Sequence, residues 1–195
     1  MEIRAARRAD AERIATVARQ TWHAAYGEFL STDAIDATVD EWYDPASLRS
    51  AVAREDDAFF VAVADEIVGF LQAGYRESVG NVVVTRLYAL PDYWGEGVGS
   101  ALLERAAERF VDAGYERVSA VVLADNEVGR AFYDARTFEV VDRQTTTFGG
   151  EEHDEVIVAA DLDALTDASD TGDAADTSDT TDAARADGTD ASDEA

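Results

Sequence analysis

The hydrophobic pattern changes its period several times along the chain, and each change marks a predicted element. Residues 2–6 predict a short strand. Residues 10–27 carry apolar side chains at the three-to-four spacing of an amphipathic helix, with Asp10 as the expected N-cap. Between residues 31 and 54 the pattern predicts one or two short helices, one of them beginning near Pro45.

The centre of the chain alternates between strand-like and helical patterns. Strands are predicted at 58–64, 67–77, 81–90 and 116–124, and helices at 98–113 and 126–136. Two more strand-like runs, before and after Gly149 and Gly150, predict a closing hairpin. Hairpins that flank strand–helix–strand units predict an α/β fold, with a mixed, mostly antiparallel sheet flanked by helices.

This pattern stops near residue 163. Residues 163–195 contain almost no large apolar side chain, and aspartates recur every three positions from Asp167 to Asp182. A period of three buries no face of a helix or strand, so burial gains too little to offset the ordering entropy of the segment. We therefore predict one folded domain, residues 1–162, followed by a disordered acidic C-terminal tail.

The charge is strongly acidic, because 42 aspartates and glutamates stand against 16 arginines and no lysine, for a formal net charge of −26. A nucleic-acid-binding protein needs a basic surface, so that class is not expected. The acidic residues are spread over the whole chain, which favours adaptation to high salt and a halophilic source. Steering of cationic amines towards the protein is the alternative interpretation.

Residue types and segments that the sequence lacks argue against several further kinds of site and protein. Without cysteine there is neither a disulfide nor a thiol nucleophile, and the two histidines, His23 and His153, are far apart, so no metal site is expected. The N-terminus has no apolar core like that of a signal peptide, and no window is apolar enough to span a membrane. A cytoplasmic protein is expected.

Three glycines, Gly95, Gly97 and Gly99, stand at alternate positions between a predicted strand and a predicted helix. The first amides of a helix have no internal acceptor, and glycine lets an anion approach them, so the segment is typical of a phosphate-binding loop. A dinucleotide fingerprint would need its third glycine at Ser100 or Leu102, and a P-loop would need a lysine. A tight turn without a ligand is the remaining alternative.

Two blocks of sequence together resemble the GCN5-related N-acetyltransferase (GNAT) family. Residues 87–106, LYALPDYWGEGVGSALLERA, are similar to the family's acetyl-CoA loop, whose pattern is Q/R-x-x-G-x-G/A after a strand. Residues 126–140, NEVGRAFYDARTFEV, are similar to its N-x-x-A-x-x-F-Y-x-x-x-G-F segment. The two blocks lie at the separation expected in the family, and the resemblance in element order covers residues 1–161.

The resemblance implies a single GNAT-like domain that uses acetyl-CoA as co-substrate and no metal. The strand before the loop would pair with the pantetheine arm, and the loop amides would bind the pyrophosphate. Asn126 matches an asparagine that contacts the cofactor, and Tyr133 matches the tyrosine that protonates the departing thiolate. The implied cofactor-binding residues are Leu87, Tyr88, Ala89, Gly95, Glu96, Gly97, Val98, Gly99, Ser100 and Asn126.

The chain departs from the family pattern at three positions. Trp94 stands where the loop usually begins with glutamine or arginine, and Glu96 replaces a commonly basic residue. Glu96 would repel a pyrophosphate unless its side chain points away. Thr137 replaces the glycine of the second block, so the turn there is expected to be built differently.

Residues outside the two blocks carry weaker signals. Trp22, His23 and Tyr26 give the first long helix an aromatic face, in a region that resembles the acceptor side of the family; they either line a pocket or belong to the core and its rim. Arg130 and Arg136 flank the second block and are expected to be solvated surface residues, with contact to the 3′-phosphate of CoA as the alternative.

Together these features predict an N-acetyltransferase that moves an acetyl group to an amine by direct attack, since no cysteine can form a thioester intermediate, with Tyr133 as general acid. Val121 stands where related enzymes often carry a glutamate base, so water, Glu28 and Glu77 are left open as the base. The acceptor is a small-molecule amine or a peptide or protein N-terminus, and a homodimer is left open. The alternatives are a catalytically inactive CoA-binding regulatory or interaction module and, against the broken fingerprint, a nucleotide-binding oxidoreductase.

Overall fold

In the computed structural model, residues 1–148 and 150–166 are described, and their strands form a single mixed sheet. The strands are β1 (Glu2–Ala5), β2 (Asp57–Val63), β3 (Ile67–Arg76), β4 (Asn81–Ala89), β5 (Arg117–Leu123), β6 (Glu139–Phe148) and β7 (Glu151–Asp161). The helices are α1 (Ala11–Tyr26), α2 (Thr32–Trp42), α3 (Pro45–Val52), α4 (Val98–Asp112), α5 (Glu127–Asp134) and α6 (Asp163–Thr166).

The order of strands across the sheet is β1-β2-β3-β4-β5-β7-β6. Neighbouring strands are antiparallel except for β4 and β5, which run parallel and are connected through α4. The predicted α/β class, with a mixed and mostly antiparallel sheet flanked by helices, is confirmed.

Helices cover both faces of the sheet, which explains why its central strands are buried. The strand β3 is buried from residue 67 to residue 74. On one face α4 packs its apolar stripe, including Leu102 and Phe110, against the sheet together with α6. On the other face α1 and α2 contribute Ile14 and Ile35 to a second core. The apolar residues whose spacing predicted these helices are thus the residues that each helix buries.

The sheet opens between its two parallel strands. β4 pairs with β5 only from Val82 to Val84, although it continues to pair with β3 as far as Ala89. At Thr85 the register between β3 and β4 shifts by one residue, which makes a β-bulge, and a bulge bends its strand. Beyond Thr85 the facing edges of β4 and β5 are therefore separated, and their backbone N–H and C=O groups do not bond to each other.

Two helix N-termini follow the signals in the sequence. Ser31 caps α2 and accepts a hydrogen bond from the Ala34 amide at 3.2 Å. Asp44 caps α3 and accepts one from the Ser47 amide at 2.9 Å, and Pro45 is the first residue of that helix. Proline fits there because the first helical amide has no internal acceptor to lose.

Asp10 stands at the predicted N-cap position of α1, but its side chain makes no capping hydrogen bond to that helix. A short 3-10 helix, Arg8–Asp10, precedes α1, and the Asp10 carboxylate turns back to accept a hydrogen bond from the Arg7 amide at 2.7 Å. Both terminal nitrogens of Arg4 donate to the same carboxylate, at 2.7 and 3.1 Å. The hydrogen bond from Arg4 holds the pKa of Asp10 below its ordinary value, and the carboxylate joins β1 to the start of α1.

The folded part extends past the predicted boundary at residue 162. The residues Asp163–Thr166 form the short helix α6, and Leu165 is buried against the core that surrounds α4. Leu165 is the last large apolar residue of the sequence. The rest of the predicted disordered tail, residues 167–195, lies outside the described residues. Among the described helices, none combines the length and apolarity needed to cross a membrane.

Candidate active site

A cavity of about 640 Å³ lies where β4 and β5 diverge, between the loop that precedes α4 and the helix α5. Both sequence blocks contribute to its wall, although they are distant along the chain. The predicted site residues that line it are Leu87, Tyr88, Ala89, Gly95, Gly97, Val98, Gly99, Ser100, Asn126 and Tyr133. Glu96 is the predicted site residue that does not line the cavity.

The loop between β4 and α4 presents unpaired amides. Gly95 and Gly97 have φ angles of 83° and 78°, in the left-handed region that favours glycine. Within this described loop and the first turn of α4, the amides of Gly95, Gly97, Val98, Gly99 and Ser100 have no backbone acceptor. The last three form the first turn of α4, where the positive end of the helix dipole lies, so the loop is suited to bind an anion.

Glu96 lies outside this group of amides. Its own amide donates to the Tyr93 carbonyl at 3.2 Å, and the residue is exposed to solvent away from the cavity. The carboxylate therefore does not compete with an anion for the free amides. The structure does not bring Glu96 together with the other predicted site residues.

Gly99 has a different role from Gly97. A Cβ atom at residue 99 would lie 2.7 Å from the Phe132 ring of α5, whereas one at residue 97 would meet nothing within 4 Å. Residue 99 is therefore glycine because α4 and α5 approach closely there. Gly97 instead supplies a left-handed backbone conformation and open space beside the amides.

A hydrogen bond from Trp94 links the loop to the end of β4. Its indole Nε1 donates to the Ala89 carbonyl at 2.8 Å, and Thr21 Oγ1 on α1 donates to the same carbonyl at 3.1 Å. The residue that replaces the motif's glutamine or arginine thus binds the backbone of β4. It brings no positive charge to the loop.

Asn126 caps α5 and is buried beside the cavity. Its Oδ1 accepts a hydrogen bond from the Gly129 amide at 2.9 Å. A Cβ at residue 129 would lie 2.6 Å from Asn126 Nδ2, so glycine is needed for the helix to begin so close to its cap. Asn126 therefore fixes the start of the helix that carries Tyr133.

Tyr133 is buried between aromatic neighbours, and the residue lines the cavity. Its ring packs edge-on against Phe132 and Phe138, with ring centroids 5.1 and 4.8 Å away. Burial raises the pKa of the Tyr133 hydroxyl well above its ordinary value, and the nearby charge of Arg136 offsets part of that increase. The hydroxyl consequently keeps its proton at neutral pH.

Arg136 is not the solvated surface residue that the sequence led us to expect. Its guanidinium lies 3.9 Å from the centroid of the Phe132 ring and lines the cavity. Its Nε donates to Ser100 Oγ at 3.2 Å, and its Nη1 donates to the Phe132 carbonyl at 2.6 Å. Arg130 is exposed as expected and bonds to the Ala124 carbonyl. No residue pattern separated the two arginines, since only the fold shows which one faces α4.

Thr137 has a left-handed backbone conformation at the position where the family pattern has glycine. Its φ is 61°, which makes it the one described non-glycine residue with a positive φ. The expectation that this turn is built differently from one with glycine stays a prediction. A β-branched residue is strained in that region, so the turn is held by its surroundings.

The described lining of the cavity contains no aspartate, glutamate or histidine, although the chain is rich in acids. Its two cationic side chains are Arg86 and Arg136. Arg86 is held by Gln72 Oε1 at 2.7 Å and by the Trp42 carbonyl at 2.8 Å. Neither Glu28 nor Glu77, which the sequence left open as bases, lines the cavity.

The aromatic face of α1 divides between core and cavity. Trp22 is buried among other rings, whereas Tyr26 is buried and also lines the cavity. His23 lies outside the cavity, and its Nε2 is 3.0 Å from an Asp36 carboxylate oxygen. In residues 1–148 and 150–166 no three potential metal ligands come close enough to hold an ion.

Comparison with known proteins identifies the class that this fold and cavity define. Residues 14–138 match the acetyltransferase (GNAT) family. A spermidine N(1)-acetyltransferase from Thermoplasma acidophilum is 28% identical over 153 residues, which cover 76% of this chain and 94% of that protein. An acetyltransferase from Sodalis glossinidius is 29% identical over 103 residues, covering 52% of this chain and 71% of that protein.

Two solved structures of N-acetyltransferases share this fold. The PaiA N-acetyltransferase from Thermoplasma acidophilum, crystallised in complex with coenzyme A, has a TM-score of 0.73 and 27% identity, covering 82% of this chain and 98% of that one. The ribosomal-protein-S18-alanine N-acetyltransferase from Escherichia coli shares the fold, with a TM-score of 0.61 at 18% identity. The chain belongs to the GNAT family. It is an acetyl-CoA-dependent N-acetyltransferase.

Proposed function

We propose that this enzyme acetylates small primary amines by direct attack on acetyl-CoA, with Tyr133 as general acid. One observation carries the proposal: a single cavity joins the unpaired amides of the α4 loop, the separated edges of β4 and β5, and the buried phenol of Tyr133. The unpaired amides can donate hydrogen bonds to an anionic end of the substrate. The separated edges provide hydrogen-bonding groups for an extended amide-containing arm.

The proposed reaction forms a bond between the acceptor nitrogen and the acetyl carbon and breaks the bond between that carbon and sulfur. The electron pair leaves with sulfur, and the Tyr133 hydroxyl gives its proton to the thiolate. A free thiol has a pKa of about 8.5 and a phenol about 10, so a phenol beside the sulfur can donate as charge develops. Burial raises the pKa of the Tyr133 hydroxyl, so the hydroxyl is protonated at neutral pH and donates only once negative charge has developed on the sulfur beside it.

The proton of the attacking amine is proposed to leave through water. The described cavity lining offers no carboxylate or imidazole to receive it. Once the amine proton is released, it restores the Tyr133 hydroxyl, so the reaction is balanced over one turnover. Such an enzyme gains rate with pH until its amine acceptor is mostly unprotonated.

Polyamines are the acceptor class that we propose to test first. The Thermoplasma relative is a spermidine N(1)-acetyltransferase and matches this chain over most of both lengths. A formal net charge of −26 also favours the approach of polycations over that of anions. A panel of polyamines, amino acids and peptides, with release of free thiol as the readout, distinguishes these acceptors. Faster turnover of N-terminal peptides than of every small amine would contradict the proposal.

Tyr133→Phe tests the chemistry. The change removes one hydroxyl and little volume, so the affinity for acetyl-CoA is expected to stay unchanged while kcat and kcat/KM both fall by roughly 10²–10⁴-fold, the usual contribution of a positioned general acid. Steady-state kinetics with the preferred amine at constant salt measures both quantities.

Tyr115→Phe is the matched control. Tyr115 stacks on Tyr75 and does not line the active-site cavity. The kcat and kcat/KM of the Tyr115→Phe enzyme are therefore expected to stay at the wild-type level. Unaltered turnover in Tyr133→Phe would remove this hydroxyl from the mechanism and leave water as the acid.

A further inference from the structure

Arg136 brings a positive charge to the first turn of α4 from another part of the chain. Its Nε and Nη2 both donate to Ser100 Oγ, and Ser100 is the third residue of α4. The Ser100 amide is one of the unpaired amides of the loop. The guanidinium therefore lies one hydrogen bond away from the group of amides that is suited to an anion.

The orientation of this arginine is fixed by packing. The guanidinium stacks 3.9 Å from the Phe132 ring centroid, and its Nη1 also donates to the Phe132 carbonyl. Phe132 in turn fits against Gly99, where a Cβ atom would lie 2.7 Å from the ring. The absence of a side chain at residue 99 thus allows Phe132, and with it Arg136, to reach the start of α4.

Arg136 has no carboxylate partner among residues 1–148 and 150–166. Other arginines of this acidic chain form ion pairs there, for example Arg4 with Asp10 and Arg76 with Asp57. A guanidinium has five N–H groups, and three of those of Arg136 are used in the bonds described, which leaves two. A half-buried cation that borders a cavity without acids has spare charge and spare donors for an anionic ligand.

The loop itself supplies no cation. Trp94 occupies the position where the family pattern has glutamine or arginine, and its indole bonds to the β4 backbone. Glu96 is acidic and lies outside the cavity. We propose that Arg136 binds the pyrophosphate of acetyl-CoA, together with the amides of residues 97–100, and so replaces the charge that the loop lacks. The proposal rests on the use of acetyl-CoA by this enzyme and does not depend on the acceptor or on Tyr133.

The pyrophosphate is the favoured phosphate because of where the guanidinium is held. Two of its nitrogens bond to a side chain within the first turn of α4, beside the unpaired amides. An anion on those amides comes within reach of the free N–H groups. The 3′-phosphate of the ribose is chemically separate from the pyrophosphate, so analogues that lack one or the other distinguish the two.

Arg136→Met tests the proposal, because methionine keeps an apolar side chain over the Phe132 ring and removes the charge. Hydrogen bonds to charged groups contribute about 1.5–3 kcal/mol, so the Kd for CoA measured by calorimetry is expected to rise roughly 10- to 100-fold. The same factor is expected with dephospho-CoA, which retains the pyrophosphate and lacks the 3′-phosphate. For S-acetylpantetheine, which has no phosphate, kcat/KM is expected to stay within about twofold.

Two further variants separate charge from structure. Arg136→Lys keeps a cation without the planar fork and is expected to recover part of the affinity for CoA. Arg130→Met is the matched control, since Arg130 is an exposed arginine of α5, the helix that ends just before Arg136. This change is expected to leave the Kd values for CoA and dephospho-CoA, and kcat/KM for S-acetylpantetheine, at the wild-type level. Melting temperatures of all variants are measured alongside.

Each alternative role predicts a different result. An equal loss with S-acetylpantetheine would show that Arg136 only joins α4 to α5 and would overturn the proposal. A loss with CoA that disappears with dephospho-CoA would assign Arg136 to the 3′-phosphate and would overturn it as well. The CoA binding measurement needs no acetyl transfer, so failure of the proposed acceptor or of Tyr133 as acid would leave this result interpretable.

Discussion

At the scale of single residues, the two glycines Gly97 and Gly99 show why one motif contains more than one physical requirement. Gly97 has a φ of 78° and open space beside it, whereas Gly99 has an ordinary φ and no room for a Cβ against Phe132. The first requirement concerns the backbone of a loop. The second concerns the distance between two helices.

Gly97→Val is expected to weaken acetyl-CoA binding by more than about tenfold and to leave the fold intact. A branched side chain disfavours the left-handed conformation by roughly 1–2 kcal/mol, so the loop would move its amides, and the side chain would occupy the space beside them. Calorimetry with acetyl-CoA and circular dichroism measure the two effects. Normal affinity in this variant would contradict the assignment of the loop as an anion site.

Gly99→Ala is expected to act on stability first. Its Cβ would clash with the Phe132 ring, and overpacking of this kind costs about 1–3 kcal/mol. Adding Phe132→Leu should restore much of the lost melting temperature, because the smaller side chain can move away. If the second change gives no recovery, the close approach of α4 and α5 is not the reason for a glycine at this position.

Predictions from the sequence were most accurate where a single physical signal determines the local structure. Apolar spacing predicted the helices and strands, because a periodic face must be buried. The loop glycines and Tyr133 could be predicted to line one cavity because they belong to motifs with a fixed local geometry. The contacts of Arg136 with Ser100 and Phe132 were missed, since a single charged residue near a helix end carries no signal for the neighbour that it meets. The partner of the Asp10 side chain was missed for the same reason, because Arg4 lies on another element.

At the scale of elements, the join between β1 and α1 depends on one carboxylate. Asp10→Asn is expected to lower the free energy of unfolding at pH 7 by about 1–3 kcal/mol, through loss of charged hydrogen bonds to Arg4. Chemical denaturation at a series of pH values measures the difference between the two proteins.

The pH dependence of that difference follows from the direction of the shift. The pKa of Asp10 is lowered in the folded protein by its hydrogen bond with Arg4. Its contribution is therefore full above the unfolded pKa of about 3.9 and is lost as the pH falls through the lower folded pKa. Asp65→Asn, in the exposed turn between β2 and β3, is the control. A gap between wild type and Asp10→Asn that persists unchanged at the acid limit would exclude this ion pair as its cause.

At the scale of the whole molecule, the end of the folded domain can be located by truncation. A chain ending at Thr166 is expected to keep its melting temperature and acetyl-CoA affinity in high salt. A chain ending at Leu162 loses the buried Leu165 and is expected to be less stable by about 1.5–3 kcal/mol, the usual value for burial of such a side chain. Leu165→Ala in the full chain is the matched control and should reproduce most of that loss. Equal stability of the two truncated chains would show that α6 contributes nothing.

The absence of acids from the described lining of the cavity has a consequence for how this protein can change over evolutionary time. Charges on the exterior lie farther from the reacting groups than carboxylates in the lining would, and salt limits the range of their interaction through solvent to about 8 Å at physiological ionic strength and about 3 Å at 1 M. Substitutions that adjust surface charge to a new habitat can therefore accumulate with little effect on the reacting groups. Adaptation of the surface to the environment and change in the reacting groups of the cavity become separate traits, open to independent selection and engineering, while the approach of a charged acceptor stays linked to the surface charge.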